Sequence, residues 1–206
     1  MNPAAARLGF WSSLAALTAT LGYGVVQLAQ VLGLVGYPAA DMLIYGFSIC
    51  IAPPFLLALV ALHESLEPER RMWTRAALLF GAIYVTYVAL MYAVQLTTVI
   101  PRAPRSPDQG VLGVTPQSLF WVIDGLGYVS MGVASLFAGL ALAPRGPGVW
   151  ARRLLLANGL ITPVIAFVYL YPHFSTGLLL LGSPWLITAP GSMAALAVYF
   201  RSPRPG

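Results

Sequence analysis

Apolar residues in this chain run in long blocks rather than in alternation, and the blocks are separated by short clusters of Pro, Gly and charge. Blocks near 20 residues or longer with few charges read as transmembrane helices, because about 20 residues at ~1.5 Å rise cross a ~30 Å hydrocarbon core. Six such blocks are present, at about 8–34, 42–62, 73–100, 118–142, 151–171 and 178–200. We therefore expect an all-α membrane protein, one domain over 1–206, with six transmembrane helices in one compact bundle. The first block is too long for the h-region of a signal peptide and is followed by no convincing A-x-A site, so it is read as an uncleaved helix ended by Gly36-Tyr37-Pro38. Pro53-Pro54 in the second block, Pro163 in the fifth, and Pro184 and Pro190-Gly191 in the sixth predict kinks or breaks, since each proline removes a backbone donor.

Composition agrees with this reading. Charged residues make up 8% of the chain, against ~25% for a soluble domain. Every basic side chain is an arginine, so Schiff-base chemistry through a lysine amine is excluded. Cys50 is the single cysteine and cannot form a disulfide within the chain. The net charge of +5 points to anionic lipid headgroups on the arginine-rich side rather than to nucleic acid, because no basic run is interleaved with aromatics.

Arginine placement sets the expected orientation. The N-terminal tail, the second-to-third and fourth-to-fifth connections and the C-terminus carry Arg7, Arg70, Arg71, Arg75, Arg145, Arg152, Arg153, Arg201 and Arg204, while the opposite side carries Arg102 and Arg105. Nine against two predicts both termini in the cytoplasm and a multi-pass protein of the cytoplasmic membrane. Trp185, Tyr37 and Trp121 then fall near the outer interface, with Trp73 and Trp150 near the inner one.

That threading levels several polar residues. Gln27 and Gln30 share a face of the first helix in its outer half. Gln95 lies one to two turns from the outer end of the third helix, and Asp124 about two turns inside the fourth. Tyr128 lies one turn beyond Asp124 and is placed to hydrogen-bond it, as is Arg102 if its loop folds back. An ionisable group at such depth is costly and marks a functional-site hypothesis. Two readings compete: amides that only lock helices together, or an outward-facing polar pocket of Asp124, Gln95, Gln27, Gln30 and Tyr128 that binds or transports a small ligand, ion or proton. The first makes the protein a structural or accessory subunit. The stripes Ser130, Ala134, Ala138 and Ser135, Gly139 predict close helix packing within the chain rather than a dimer face.

Catalytic signals are weak. His63-Glu64-Ser65-Leu66-Glu67 has Glu67 where a zinc motif needs its second histidine, and His173 falls across the membrane, so no metal is expected. Around Ser130 the spacing is wrong for a membrane serine protease. There is no phosphate loop, no C-x-x-C and no residue set that needs a cofactor, which weighs against an enzyme. Leu21-Gly22-Tyr23 recurs as Leu126-Gly127-Tyr128, a short echo compatible with two inverted three-helix halves.

The runs LHESLEPERRMW, YAVQLTTVIP, DGLGYVSMG and LANGLITPVI resemble a group of small bacterial integral membrane proteins of unassigned activity. The resemblance implies a compact six-helix protein. It draws attention to Gln95 and Asp124, which lie inside these runs, and implies nothing about mechanism.

Overall fold

The computed structural model describes residues 2–103 and 112–202. Arg105 and Arg204, and residues 104–111 of the long connection expected after the third span, lie outside the described residues. Six helical stretches are long and apolar enough to cross a membrane, and no strand occurs among the described residues. They are compatible with a multi-pass membrane protein. Their outer surface agrees: Val25 is 68% exposed, Leu79 69% and Ile187 74%. Side chains of that kind spread over every helix suit lipid tails and not water.

The first span is α1 (Pro3–Val31). Its start is fixed by Asn2, whose side chain accepts from the Ala4 amide at 2.9 Å, and by Pro3 in the first turn. It ends before Gly36-Tyr37-Pro38. Gly33 takes φ +71°, Leu34 N–H reaches Ala29 C=O at 2.9 Å and Gly33 N–H reaches Gln30 C=O at 3.0 Å. That is a Schellman closure, which requires a left-handed residue at that position. The second span, α2 (Ala39–Ser65), runs as one helix through Pro53 and Pro54. A 3₁₀ turn, Pro68–Arg70, leads into α3 (Arg71–Val94).

The third span continues through a π turn, Gln95–Val99, into the one-turn helix α4 (Ile100–Arg102). Pro101 has no N–H to offer the Thr97 carbonyl, so regular i→i−4 bonding fails there, and Ile100 N–H reaches back five residues to Gln95 C=O. The fourth span, α5 (Leu119–Ala141), is capped by Ser118, which accepts from the Trp121 amide at 3.2 Å. The fifth divides into α6 (Val149–Leu160) and α7 (Thr162–Leu170) at Ile161, with Pro163 in the first turn of the second piece. The sixth divides into α8 (Thr176–Leu180) and α9 (Trp185–Arg201), and Pro190 is accommodated inside α9. The expected proline breaks thus appear at Pro163 and Pro184, where the proline can open a new helix.

Helix α5 is the central post, packed against α3, α6 and α7, while α1 packs on α2 and α9. Its buried face is mostly Gly, Ser and Ala, with Phe120 and Met131: Ala134, Ser135 and Ala138 are fully buried. A Cβ on Gly139 would lie 2.9 Å from Leu156 Cγ, and one on Gly159 would lie 2.8 Å from the Leu136 backbone Cα. The small-residue stripes therefore serve packing within the chain. At the same level Asn158 donates to Ser135 Oγ at 3.0 Å and accepts from Thr188 Oγ1 at 2.9 Å, tying α6 to α5 and α9.

The arginine-rich end is held by charge on helix ends. Arg152 donates to the carbonyls of Gly139 at 3.0 Å and Leu142 at 2.7 Å, and Arg70 to that of Ala141 at 3.2 Å. These carbonyls lie in the last turn and at the cap of α5, where the helix dipole favours a cation. Arg201 lies 6.0 Å from the Phe10 ring, so the two outermost helices meet at this end. His63 is not a freely solvated helix end: its Nδ1 lies 2.7 Å from Thr74 Oγ1, linking α2 to α3.

Gly159→Ala is expected to cost roughly 1–3 kcal/mol in thermal or denaturant unfolding in detergent, because the added methyl meets backbone. Gly46→Ala, with nothing within 4 Å, is expected to be neutral or stabilising by up to ~1 kcal/mol. Equal effects at the two sites would refute the close α5–α6 contact.

Candidate functional site

Asp124 enters the bundle from α5, six residues past its cap. The two residues that bond it come from two other helices. Tyr92 on α3 donates its hydroxyl to Oδ1 at 2.6 Å, and Tyr169 on α7 donates to Oδ2 at 2.7 Å. One carboxylate thus joins three helices, with each oxygen holding one charge-assisted bond. Among the described residues no cation pairs with it, Arg102 included.

Local sequence explains why both tyrosines reach it. Gly125 leaves the space that the Tyr169 ring occupies; a Cβ there would sit 2.6 Å from Tyr169 Cγ. Trp121, one turn earlier, holds the same residue twice: its Nε1 donates to Tyr169 C=O at 3.1 Å and its ring lies 4.7 Å from the Tyr169 ring. On the other side Tyr92 is stacked by Tyr45 from α2, with centroids 5.3 Å apart and planes at 23°. Tyr92 is buried and sits three residues before the π turn, a distortion that widens the helix and is frequent at functional sites.

A second polar string runs along α1. Tyr23 donates to Gln27 Oε1 at 3.2 Å, Gln27 Nε2 to Gln30 Oε1 at 3.0 Å, and Gln30 Nε2 to Asp41 Oδ1 at 3.1 Å. Asp41 lies in the first turn of α2, where the helix dipole favours a carboxylate.

Tyr128 connects the two systems. It does not bond Asp124. Its ring stacks on Tyr169 at 6.0 Å, and its edge meets Trp185 at 5.3 Å, the ring that Tyr23 meets from α1 at 5.5 Å. The tyrosines of the repeated Leu-Gly-Tyr triplet therefore meet on one ring, that of Trp185.

A cavity of about 210 Å³ opens beside this cluster, between α1, α7, α8 and α9. Tyr23, Gln27, Tyr128, Tyr169 and Trp185 line it. Its rim includes Leu28, Val31 and Leu180, all more than half exposed, so it faces the surface that hydrocarbon would cover.

The five residues expected to form one pocket are placed as follows. Gln27 and Tyr128 line the cavity, and Gln30 continues the string behind Gln27. Asp124 lies one hydroxyl away, behind Tyr169. Gln95 is buried and turned elsewhere, donating to Leu112 C=O at 2.7 Å. The two glutamines of α1 converge on Asp41 rather than on Asp124.

Sequence reasoning missed Tyr23, Asp41, Tyr92, Tyr169 and Trp185. Tyr23 carried a signal, since it precedes Gln27 by one turn and shares its face. Tyr92 stands likewise one turn before Gln95. Tyr169 had none, because its relation to Asp124 exists only after α7 has packed on α5.

Comparison with protein-family models, with curated proteins and with solved structures returned no match. The likeness to small bacterial membrane proteins gains no support there, and the site is argued from its own geometry.

Tyr169→Phe and Tyr92→Phe are each expected to cost about 1–2 kcal/mol in unfolding in detergent, by removing a bond to the carboxylate. In an Asp124→Leu background the same changes should cost less than ~0.5 kcal/mol, a coupling that a double-mutant cycle reads directly. Additive costs would refute the three-helix tie.

Proposed function

We propose that this chain is a multi-pass protein of a bacterial cytoplasmic membrane that binds a small, partly apolar ligand in the cavity beside Tyr128, within the half of the bundle at its arginine-poor end. Both termini lie in the cytoplasm in this reading, and the arginine-rich end rests against anionic headgroups. The observation that carries it is the position of the cavity. Its floor is aromatic and bears hydroxyls hydrogen-bonded to a carboxylate system, while its rim is aliphatic and open to the side of the bundle. Binding sites combine an apolar lining with a few placed polar groups in this way. A ligand would enter from the bilayer, and Asp124 would act through the hydroxyl of Tyr169. Transport would require the same site to open in turn to both sides, for which the broken spans α6–α7 and α8–α9 supply the kind of discontinuity that transporters use.

A second reading has one observation in its favour. Asp124, Gln27, Gln30, Gln95 and Asn158 all have partners inside the protein, as they would in an accessory subunit whose polar groups only join helices.

Quenching separates the two readings. In a background with Trp11, Trp73 and Trp150 changed to Phe, a brominated hexanol is expected to quench Trp185 and Trp121 saturably in detergent. Val168→Phe, which fills the cavity from its buried wall, should abolish the saturable part. Linear quenching unaffected by that change would favour the accessory subunit. Orientation has its own test, with Cys50 first replaced by Ser. A membrane-impermeant maleimide applied to intact cells should label Gly36→Cys and not Pro147→Cys; the reverse pattern would invert the proposed threading.

A further inference from the structure

The size of the cavity and the unused donor on its wall narrow the kind of ligand it suits, and this step rests on the cavity being a binding site. At about 210 Å³ it is smaller than the roughly 300–1,000 Å³ that encloses a whole drug-sized ligand. It therefore holds one part of a molecule whose remainder passes out over the rim. That rim, at Leu28, Val31 and Leu180, is aliphatic and exposed, so the part left outside is a chain lying in lipid.

The part inside meets a donor that the protein does not use. Trp121 commits its indole N–H to Tyr169 C=O. Trp185 does not: among the described residues its contacts are the rings of Tyr23 and Tyr128, and no acceptor bonds its nitrogen. The fully enclosed side-chain atoms left without a partner among the described residues are the hydroxyls of Ser13, Ser48 and Thr162. The Trp185 nitrogen is not one of these, so it reaches open space, and the open space that this buried residue lines is the cavity. An indole can only donate. Gln27, on the same wall, gives one amide proton to Gln30 and has one over.

Charge decides what can receive these protons. Among the described residues no charged side chain lines the cavity, and Asp124 stands one hydroxyl behind its wall. An anionic head would find no cation there and an acid close by. A cation would find no cage, because the rings of Tyr23 and Tyr128 meet Trp185 edge to face at 5.5 and 5.3 Å. The match is a neutral oxygen acceptor on a chain. Its level is set too. Trp185 is the first residue of α9 and follows the exposed Ser183. Its N–H thus lies where a span begins, the level at which interfacial tryptophans gather and at which glycerol esters join headgroup to acyl chain.

We infer that the cavity takes the ester end of an acylglycerol, with the ester carbonyl accepting from Trp185 Nε1–H, the glycerol toward Ser183 and the acyl chain leaving past Leu28, Val31 and Leu180.

The test uses the full-length protein in a non-ionic detergent, in the background with Trp11, Trp73 and Trp150 changed to Phe, and two probes that differ in the carbonyl alone: 1-octanoylglycerol and 1-octylglycerol ether. Each is titrated against the brominated hexanol, and the recovery of tryptophan fluorescence reads its displacement. Concentrations are expressed per mole of detergent, so that partition into micelles is common to both. The ester is expected to displace the alcohol at about three- to tenfold lower concentration than the ether, the worth of one hydrogen bond. Trp185→Phe, read through Trp121, should narrow that ratio to less than about twofold. If Trp185→Phe does not fold, the ester-to-ether ratio on the Trp185 chain decides by itself. Equal displacement by the two probes, a ratio unchanged in Trp185→Phe, or no displacement by either while the alcohol still quenches saturably would overturn the ester assignment and leave the cavity reading standing. Absence of saturable quenching by the alcohol, with no effect of either probe, would overturn both.

Discussion

A carboxylate buried among apolar helices must be satisfied by the protein, because its apolar neighbours offer it nothing. At Asp124 that requirement is met by two phenols from α3 and α7. Breaking such an arrangement leaves a buried acid without partners, and the two bonds offset part of the cost of taking it out of water. Much of the surrounding structure follows from it. Gly125 must lack a side chain for Tyr169 to lie against α5, Trp121 must hold that tyrosine's backbone, and Tyr45 must brace Tyr92. The carboxylate thus fixes how the third, fourth and fifth spans meet, in a setting where apolar burial gives no preference between protein and lipid.

The two ends of the bundle use charge differently. At the arginine-rich end, Arg152 and Arg70 donate to the carbonyls that close the C-terminal end of α5. Cations here act on a helix terminus and not on acids. Toward the other end, Asp41 and Asp124 are served by neutral hydroxyls and amides.

The six spans were legible in the sequence because length and hydropathy alone define a membrane crossing, and all six appear with bounds close to those expected. Proline effects were less legible. Pro53 and Pro54 pass through a continuous α2, while Pro163 and Pro184 open new helices; removal of one donor does not say whether the chain bends, breaks or absorbs it. Pro101 was overlooked as a source of the π turn. At the site, the sequence identified Asp124 by its depth and Gln27, Gln30 and Tyr128 by their level. It could not identify their partners. A hydrogen bond between helices depends on rotation about each helix axis, and these helices are apolar on nearly every side, so no amphipathic stripe fixes that rotation. Gln95 illustrates the point: it has the right height but turns to Leu112.

The last span carries a further consequence. Helix α9 has 17 residues, or roughly 26 Å of rise, a few ångströms short of a typical hydrocarbon core of ~30 Å. The turn at Gly182 and Ser183 forms part of the cavity wall just where α9 begins. The crossing is completed by the turn and α8, since the whole stretch Gly177–Arg201 has 25 residues, and in a bilayer this places the turn near the edge of the hydrocarbon. Lipid thickness would therefore set how wet the cavity mouth is: short-chain membranes would bring water to its edge, and long-chain membranes would seal it under acyl tails.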